Sequence, residues 1–234
     1  MSERTVKLMV DGKQVVAKQD DTILEVAKEN EISIPTLCYL EGLSSVGGCR
    51  LCLVEVKGTS KLLPACSTPV RNGMEVTTNS SKLMELRRMI VELFLSERTH
   101  ICSVCVANGS CELQELATEL SADHVRFERE WTMHKIDSSH ERLVLDPNRC
   151  ILCTRCIRIC DEVEGVHTLD LKMRGKDSQV IIDLNEPWGS STSCTSCEKC
   201  AAVCPVGAIY IEGKALSETK DTELPEFVLG RRRR

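Results

Sequence analysis

Fifteen cysteines in 234 residues are the part of this sequence best able to do chemistry, and they are not scattered. Two runs share one spacing: Cys150-x2-Cys153-x2-Cys156-x3-Cys160, followed by Asp161, and Cys194-x2-Cys197-x2-Cys200-x3-Cys204, followed by Pro205. Three thiolates at x2 intervals wrap a loop round one face of a cubic 4Fe-4S cluster. The fourth, a helical turn on, points away and serves the neighbouring cluster. The spacing therefore assigns Cys150, Cys153, Cys156 and Cys204 to one cluster, and Cys194, Cys197, Cys200 and Cys160 to another. Zinc also accepts C-x2-C pairs, but it does not call for two complete four-cysteine runs.

The remaining seven thiols form two further groups. Cys38-x10-Cys49-x2-Cys52-x13-Cys66 has the central x2 pair and distant fourth cysteine of a plant-type 2Fe-2S site, with a longer first gap. Gly42, Gly47 and Gly48 in that gap suit positive backbone angles close to inorganic sulfide. Cys102-x2-Cys105-x5-Cys111 is one ligand short of a 4Fe-4S set. A neutral imidazole can supply it, and His100 is the nearest candidate. His124, His134, His140 and His167 have no such cysteine context. Four, three, four and four cysteines account for the whole complement, which chance placement or a redox-active C-x2-C would not.

Local elements must hold these groups. Val6, Leu8 and Val10 alternate as a strand, Asp11-Gly12 turns the chain, and Val15 and Ala17 begin the return. Thr22 and Glu25 form a capping box ahead of Ile23, Val26 and Ala27, so a short helix runs to Asn30. Cys52 to Val56, Lys61 to Ala65 and Glu75 to Thr77 read as short strands. From Asn79 or Ser80 a helix carries Leu83, Leu86, Ile90, Leu93 and Phe94 on one face, with Arg87 and Arg88 off it. A second helix covers Cys111 to Leu120. The two last cysteine runs lie about 44 residues apart and suggest an internal duplication. The expected organisation is a 2Fe-2S domain over 1–78, a three-cysteine helical domain over 79–120, and a polar connection over 121–144 containing Trp131. A double 4Fe-4S domain over 145–213 and a charged tail over 214–234 ending in four arginines complete it.

Composition sets the outer limits. A net charge of −5, from 30 basic and 35 acidic residues, and 3% aromatics give no basis for a nucleic-acid surface. No secretory signal and no membrane-spanning stretch is legible, so a cytoplasmic chain is expected. There the cysteines are better explained by metal than by disulfides. There is no G-x-G-x-x-G after a strand, no Walker loop and no nucleophile-base pairing, so no nucleotide or catalytic site is expected on the chain itself.

IPTLCYLEGLSSVGGCRLCLVEV, HICSVCVANGSCELQ, NRCILCTRCIRICDEVEG and CTSCEKCAAVCPVGAI, in that order, resemble the N-terminal electron-transfer part of the complex I large iron-sulfur subunit and of iron-only hydrogenases. The likeness is greatest to the HoxU-type diaphorase small subunits of NAD-reducing nickel-iron hydrogenases. The single residue between His100 and Cys102 matches that group, whereas complex I relatives usually have three. The resemblance implies an α+β chain: a β-grasp 2Fe-2S domain, a small helical 4Fe-4S domain with one histidine and three cysteine ligands, and a double 4Fe-4S ferredoxin-like domain. It implies one 2Fe-2S and three 4Fe-4S clusters, and FMN and NAD on a flavin-binding diaphorase partner. It also implies nickel-iron hydrogenase small and large subunits as further partners. Equivalent subunits of an NAD-linked formate dehydrogenase or a complex I-like enzyme are the alternative, and a zinc-binding interaction module the reading from another class.

Overall fold

The computed structural model describes residues 5–130 and 133–220; Trp131 and most of the charged tail lie outside the described residues. The chain divides into two compact units, Met1–Tyr39 with Ser45–Ile90, and Leu40–Ser44 with Val91–Arg234.

In the first unit β1 (Thr5–Val10) and β2 (Lys13–Lys18) form an antiparallel hairpin, with Leu8 opposite Val15 and Val10 opposite Lys13. The period of two puts Val6, Leu8, Val10, Val15 and Ala17 in the core. Asp11 and Gly12 turn the chain with φ of +49° and +81°, the doubly positive turn whose twist matches the strands. Helix α1 (Ile23–Glu29) starts at a complete capping box: the Glu25 amide donates to Thr22 Oγ1 at 3.3 Å, and the Glu25 carboxylate accepts from the Thr22 amide at 2.9 Å. Ile23, Leu24, Val26 and Ala27 go into the core.

Strands β3 (Leu53–Val56), β4 (Leu63–Pro64) and β5 (Glu75–Thr77) complete a sheet of order β2-β1-β5-β3-β4. β5 runs parallel to β1, and the other neighbours are antiparallel. A hairpin, a crossing helix and a returning central strand make this a β-grasp. The strand expected from Lys61 to Ala65 shrinks to two residues, one of them Pro64, which has no amide to donate.

Helix α2 (Ser81–Glu97) begins where the Leu83 amide donates to Ser80 Oγ at 3.3 Å. Arg87, expected off the apolar face, is instead 4% exposed. Its guanidinium donates to the Leu51 carbonyl at 3.0 Å and the Leu53 carbonyl at 3.2 Å, so a long cationic side chain closes off backbone beside Cys52.

The second unit contains α3 (Glu112–Glu119), β6 (Leu143–Leu145), α4 (Arg155–Ile159), β7 (Leu169–Lys172), β8 (Gln179–Ile182), α5 (Lys199–Ala202), β9 (Ile209–Ile211) and α6 (Leu216–Lys220). β6 pairs antiparallel with β9, and β7 with β8. The duplication is visible in the backbone. Leu152 and Thr154 take φ of +54° and +59°, and Ser196 and Glu198, at the same positions of the second run, take +54° and +61°.

The runs then diverge. Pro205 stops α5, whereas Asp161 keeps its amide and lets the chain after α4 continue as a widened π turn, Cys160–Glu164, to Gly165 at φ +77°. The polar stretch before β6 is bound down: Asp137 and Leu145 exchange backbone hydrogen bonds of 2.9 Å, and the His134 backbone exchanges two with the Asn148 side chain. Among the described residues no helix is long and apolar enough to cross a membrane.

Candidate metal centres

All four thiols of the first group are buried, at 1%, 7%, 0% and 1% exposure for Cys38, Cys49, Cys52 and Cys66. Amides are aimed at them: Leu37 N–H donates to Cys49 Sγ and Cys49 N–H to Cys38 Sγ, both at 3.5 Å. Gly42, Gly47 and Arg50 take positive φ in the loop that presents them, and Gly48 does not. Successive amides turned inward by left-handed residues form the concavity that anions and iron-sulfur centres occupy. Hydrogen bonding to Cys38, with burial, pushes the Cys49 thiol well up. Hydrogen bonding to Cys66, with burial, does the same to Cys52, while the Cys52 bond brings Cys66 down to about 7.

In the second group Cys102 is exposed, Cys105 and Cys111 are half-buried, and Cys111 sits at the start of α3. Burial first, and the Cys105 and Cys102 thiols after it, push Cys111 up to about 11. His100 Nε2 is buried with no hydrogen-bond partner. Burial holds the ring down to about 4, against a hydrogen bond to the Phe94 backbone and beside Arg129, Arg98 and Arg149. The imidazole is therefore neutral, with one nitrogen oriented and the other left with a free lone pair, which is the state of a metal-ligating histidine. This group is fastened to the ferredoxin-like part. The Glu112 amide donates to the Pro205 carbonyl at 2.9 Å, Arg155 pairs with Glu112 at 2.9 Å, and a Cβ on Gly207 would meet that of Ala107 at 2.9 Å.

The fourth thiol of the first run lies beside the second run. One small cavity is lined by Cys160 together with Cys194, Cys197 and Cys200. Burial and then the charge of neighbouring thiols, Cys204 among them, raise Cys150 to about 11 and Cys153 to about 12, and push Cys156 well up. Cys200 is pushed well up in the same way, by burial and then by Cys197, Cys160 and Cys194. Backbone amides of Ala208 and Ile209 donate to Cys204 Sγ at 3.3 and 3.5 Å, and Leu152 N–H to Cys150 Sγ at 3.4 Å.

Crowded, buried thiols that repel one another once ionised suit a set of iron ions, which would neutralise them and strip their protons outright. No three Cys, His, Asp or Glu side chains among the described residues converge at the spacing of a single ion. A lone zinc draws its thiolates to about 2.3 Å from one point, a tighter gathering than ligands at the corners of a multi-iron cluster need.

Sequence reasoning passed over Trp188 and Asp137. Trp188 is 1% exposed, and its indole N–H donates to Cys194 Sγ at 3.3 Å; its own amide donates to Asp137 Oδ2 at 2.8 Å. A tryptophan six residues before a cysteine run, in a chain with only two, was the available signal.

Three family models match the chain. Residues 3–81 match the 2Fe-2S iron-sulfur cluster binding domain, and 87–126 the NADH-ubiquinone oxidoreductase-G iron-sulfur binding region. Residues 141–210 match the ferredoxin-like domain of NADH-quinone oxidoreductase subunit 3. The gamma subunit of NAD-reducing hydrogenase HoxS from Cupriavidus necator is 32% identical over 206 residues, covering 88% of this chain and 86% of that one. The chain belongs to the HoxS gamma family of iron-sulfur subunits. A chain in the crystal structure of NAD+-reducing [NiFe]-hydrogenase in the H2-reduced state superposes with a TM-score of 0.84 at 31% identity, covering 90% of this chain and 88% of that one. NADPH-Fe(3+) oxidoreductase subunit alpha of Geobacter sulfurreducens is 38% identical over 87% of this chain, which spans about a quarter of that relative's length.

Proposed function

We propose that this chain carries electrons one at a time between a diaphorase subunit that binds FMN and NAD(H) and the small and large subunits of a nickel-iron hydrogenase, in a cytoplasmic hydrogen:NAD+ oxidoreductase. The observation that carries the reading is that Cys160 of the first ferredoxin run lines a cavity with Cys194, Cys197 and Cys200 of the second, the arrangement that crossed ligation needs. Crossed ligation is how two cubic clusters are held close together on one short chain.

Cys38, Cys49, Cys52 and Cys66 would hold a 2Fe-2S cluster, and His100, Cys102, Cys105 and Cys111 a 4Fe-4S cluster. With one cubic cluster on Cys150, Cys153, Cys156 and Cys204, and another on Cys160, Cys194, Cys197 and Cys200, the total is about 14 irons per chain. When bound, such clusters supply one-electron exchange, whereas NADH gives up a hydride, so a flavin is required upstream. The chain's own residues hold the thiolates, aim amides at several of their sulfurs and bury seven of them.

The test is anaerobic mixing of the purified, flavin-free chain with NADH. Its visible absorption should persist until the flavoprotein subunit is added, and hydrogen-dependent NAD reduction should need the nickel-iron pair as well. Rapid bleaching by NADH alone would overturn the reading.

The Geobacter relative, named as an NADPH-Fe(3+) oxidoreductase subunit, and the NADH-ubiquinone oxidoreductase-G match favour a second reading. In it the chain is the equivalent subunit of a formate dehydrogenase or complex I-like enzyme. Anaerobic affinity purification separates the two by which catalytic subunit accompanies the chain.

A further inference from the structure

The turn Trp188–Ser190 is built to a tighter tolerance than its length suggests. The Trp188 amide donates to Asp137 Oδ2 at 2.8 Å, and the Gly189 amide to Ser139 Oγ at 2.8 Å. A Cβ on Gly189 would lie 2.2 Å from the Ser139 carbonyl oxygen, so only glycine lets the turn close against that backbone. The ring so placed is nearly inaccessible to water, and it packs tilted against His140 with centroids 5.4 Å apart. A buried indole N–H needs an acceptor. Here the acceptor is Cys194 Sγ, at 3.3 Å, inside the cavity that Cys160, Cys194, Cys197 and Cys200 line.

We propose that Trp188 sets the reduction potential of the cluster held by Cys194, acting through its hydrogen bond to that sulfur. The inference rests on the reading of Cys194 as a cluster ligand. An electron added to a cluster spreads negative charge onto its thiolate sulfurs. A donor dipole fixed against one of them stabilises the reduced form more than the oxidised form and raises the potential. The bond acts at full strength because the site is buried and the donor is held by Asp137, Ser139 and Gly189, with no side-chain reorganisation when the charge changes. The other donors described above, to Cys38, Cys49, Cys150 and Cys204, are backbone amides, which substitution leaves in place. The indole is a donor that a single substitution removes.

The experiment uses the full chain loaded with iron under anaerobic conditions, with each cluster's midpoint followed by paramagnetic resonance during a redox titration. Trp188→Phe keeps an aromatic ring and deletes the N–H. The expected result is a shift of one 4Fe-4S midpoint to lower potential, with the other three unmoved and the iron content unchanged. Resonance Raman adds a second readout: in deuterated water one Fe–S(Cys) stretch should shift in the native chain and not in the variant. Replacing Trp188 with benzothienylalanine, which puts sulfur where the N–H was at nearly unchanged shape, should reproduce the Phe result. An unmoved midpoint with the cluster present overturns the proposal. Loss of the cluster's iron from both variants also overturns it, by making the indole structural. If Cys194→Ser leaves all four clusters and their potentials intact, the ligand assignment itself falls, and the two failures are told apart.

Discussion

A ligand that has no thiol is the hardest residue to find in a thiol-rich protein, and His100 illustrates which observation finds it. The sequence supplies only a deficit, three cysteines where four ligands are needed. The structure adds a neutral ring whose Nε2 is buried without a partner. Leaving such an atom unpaired costs about 1–3 kcal/mol, which a metal bond would offset. His100→Ala is expected to lose about four irons per chain and one set of paramagnetic signals, while His100→Cys retains the iron with that cluster's midpoint displaced. His124, exposed and paired with Asp123, serves as the control: His124→Ala should leave iron and spectra unchanged. Iron content unaltered in His100→Ala would remove the residue from the ligand set.

At the scale of elements, the proposed crossing of thiols makes a prediction that no isolated run could make. Cys204→Ser should damage the cluster on Cys150, Cys153 and Cys156, 48 to 54 residues away in sequence, and spare the one on Cys194, Cys197 and Cys200. Spectra showing the reverse would mean that each run serves itself.

Helix α2 offers a prediction about pH. Glu92 is 1% exposed and accepts from Arg126 Nε at 2.7 Å. That hydrogen bond, prevailing over burial, holds its carboxyl below the usual glutamate range. A depressed folded-state pKa contributes stability that is complete above the unfolded value and is lost as pH falls through the folded one. Glu92→Gln should therefore cost about 1–3 kcal/mol near pH 7, and the gap between variant and native chain should close as pH falls from the ordinary glutamate range through the lowered folded-state value. Denaturant unfolding at pH 7 and at acid pH checks this, and an equal gap at both would refute it.

These elements were legible in unequal degree. The β1-β2 hairpin and the Thr22 capping box declare themselves because their signals lie within a few residues of one another, and the four thiol groups because cysteine spacing is read directly along the chain. Arg87 did not, because only the tertiary structure brings the Leu51 and Leu53 carbonyls to its guanidinium. The stretch before β6 read as a mere connection because its polarity was visible and its partners were not. Asp137 does its work on Trp188, 51 residues away. The end of β4 at Pro64 and the π turn after Cys160 were each one residue's chemistry away from being foreseen.

Across the molecule, the backbone of the two ferredoxin runs has a consequence beyond holding sulfur. Leu152, Thr154, Ser196 and Glu198 lie in the left-handed region, which costs an L-residue roughly 1–2 kcal/mol apiece, and none of them is glycine. Iron bonded to the surrounding thiolates would hold these loops shut; without it they are free to spring open, since metal binding and folding are coupled. Limited proteolysis of chelated and loaded chains should show cuts within 150–156 and 194–200 appearing on the order of tenfold faster without iron, read by mass spectrometry. First cuts at the β1-β2 turn in both forms would contradict this. A copy that never received its iron would thus expose the very segments that a housekeeping protease can grip, so that a failed assembly marks itself for disposal.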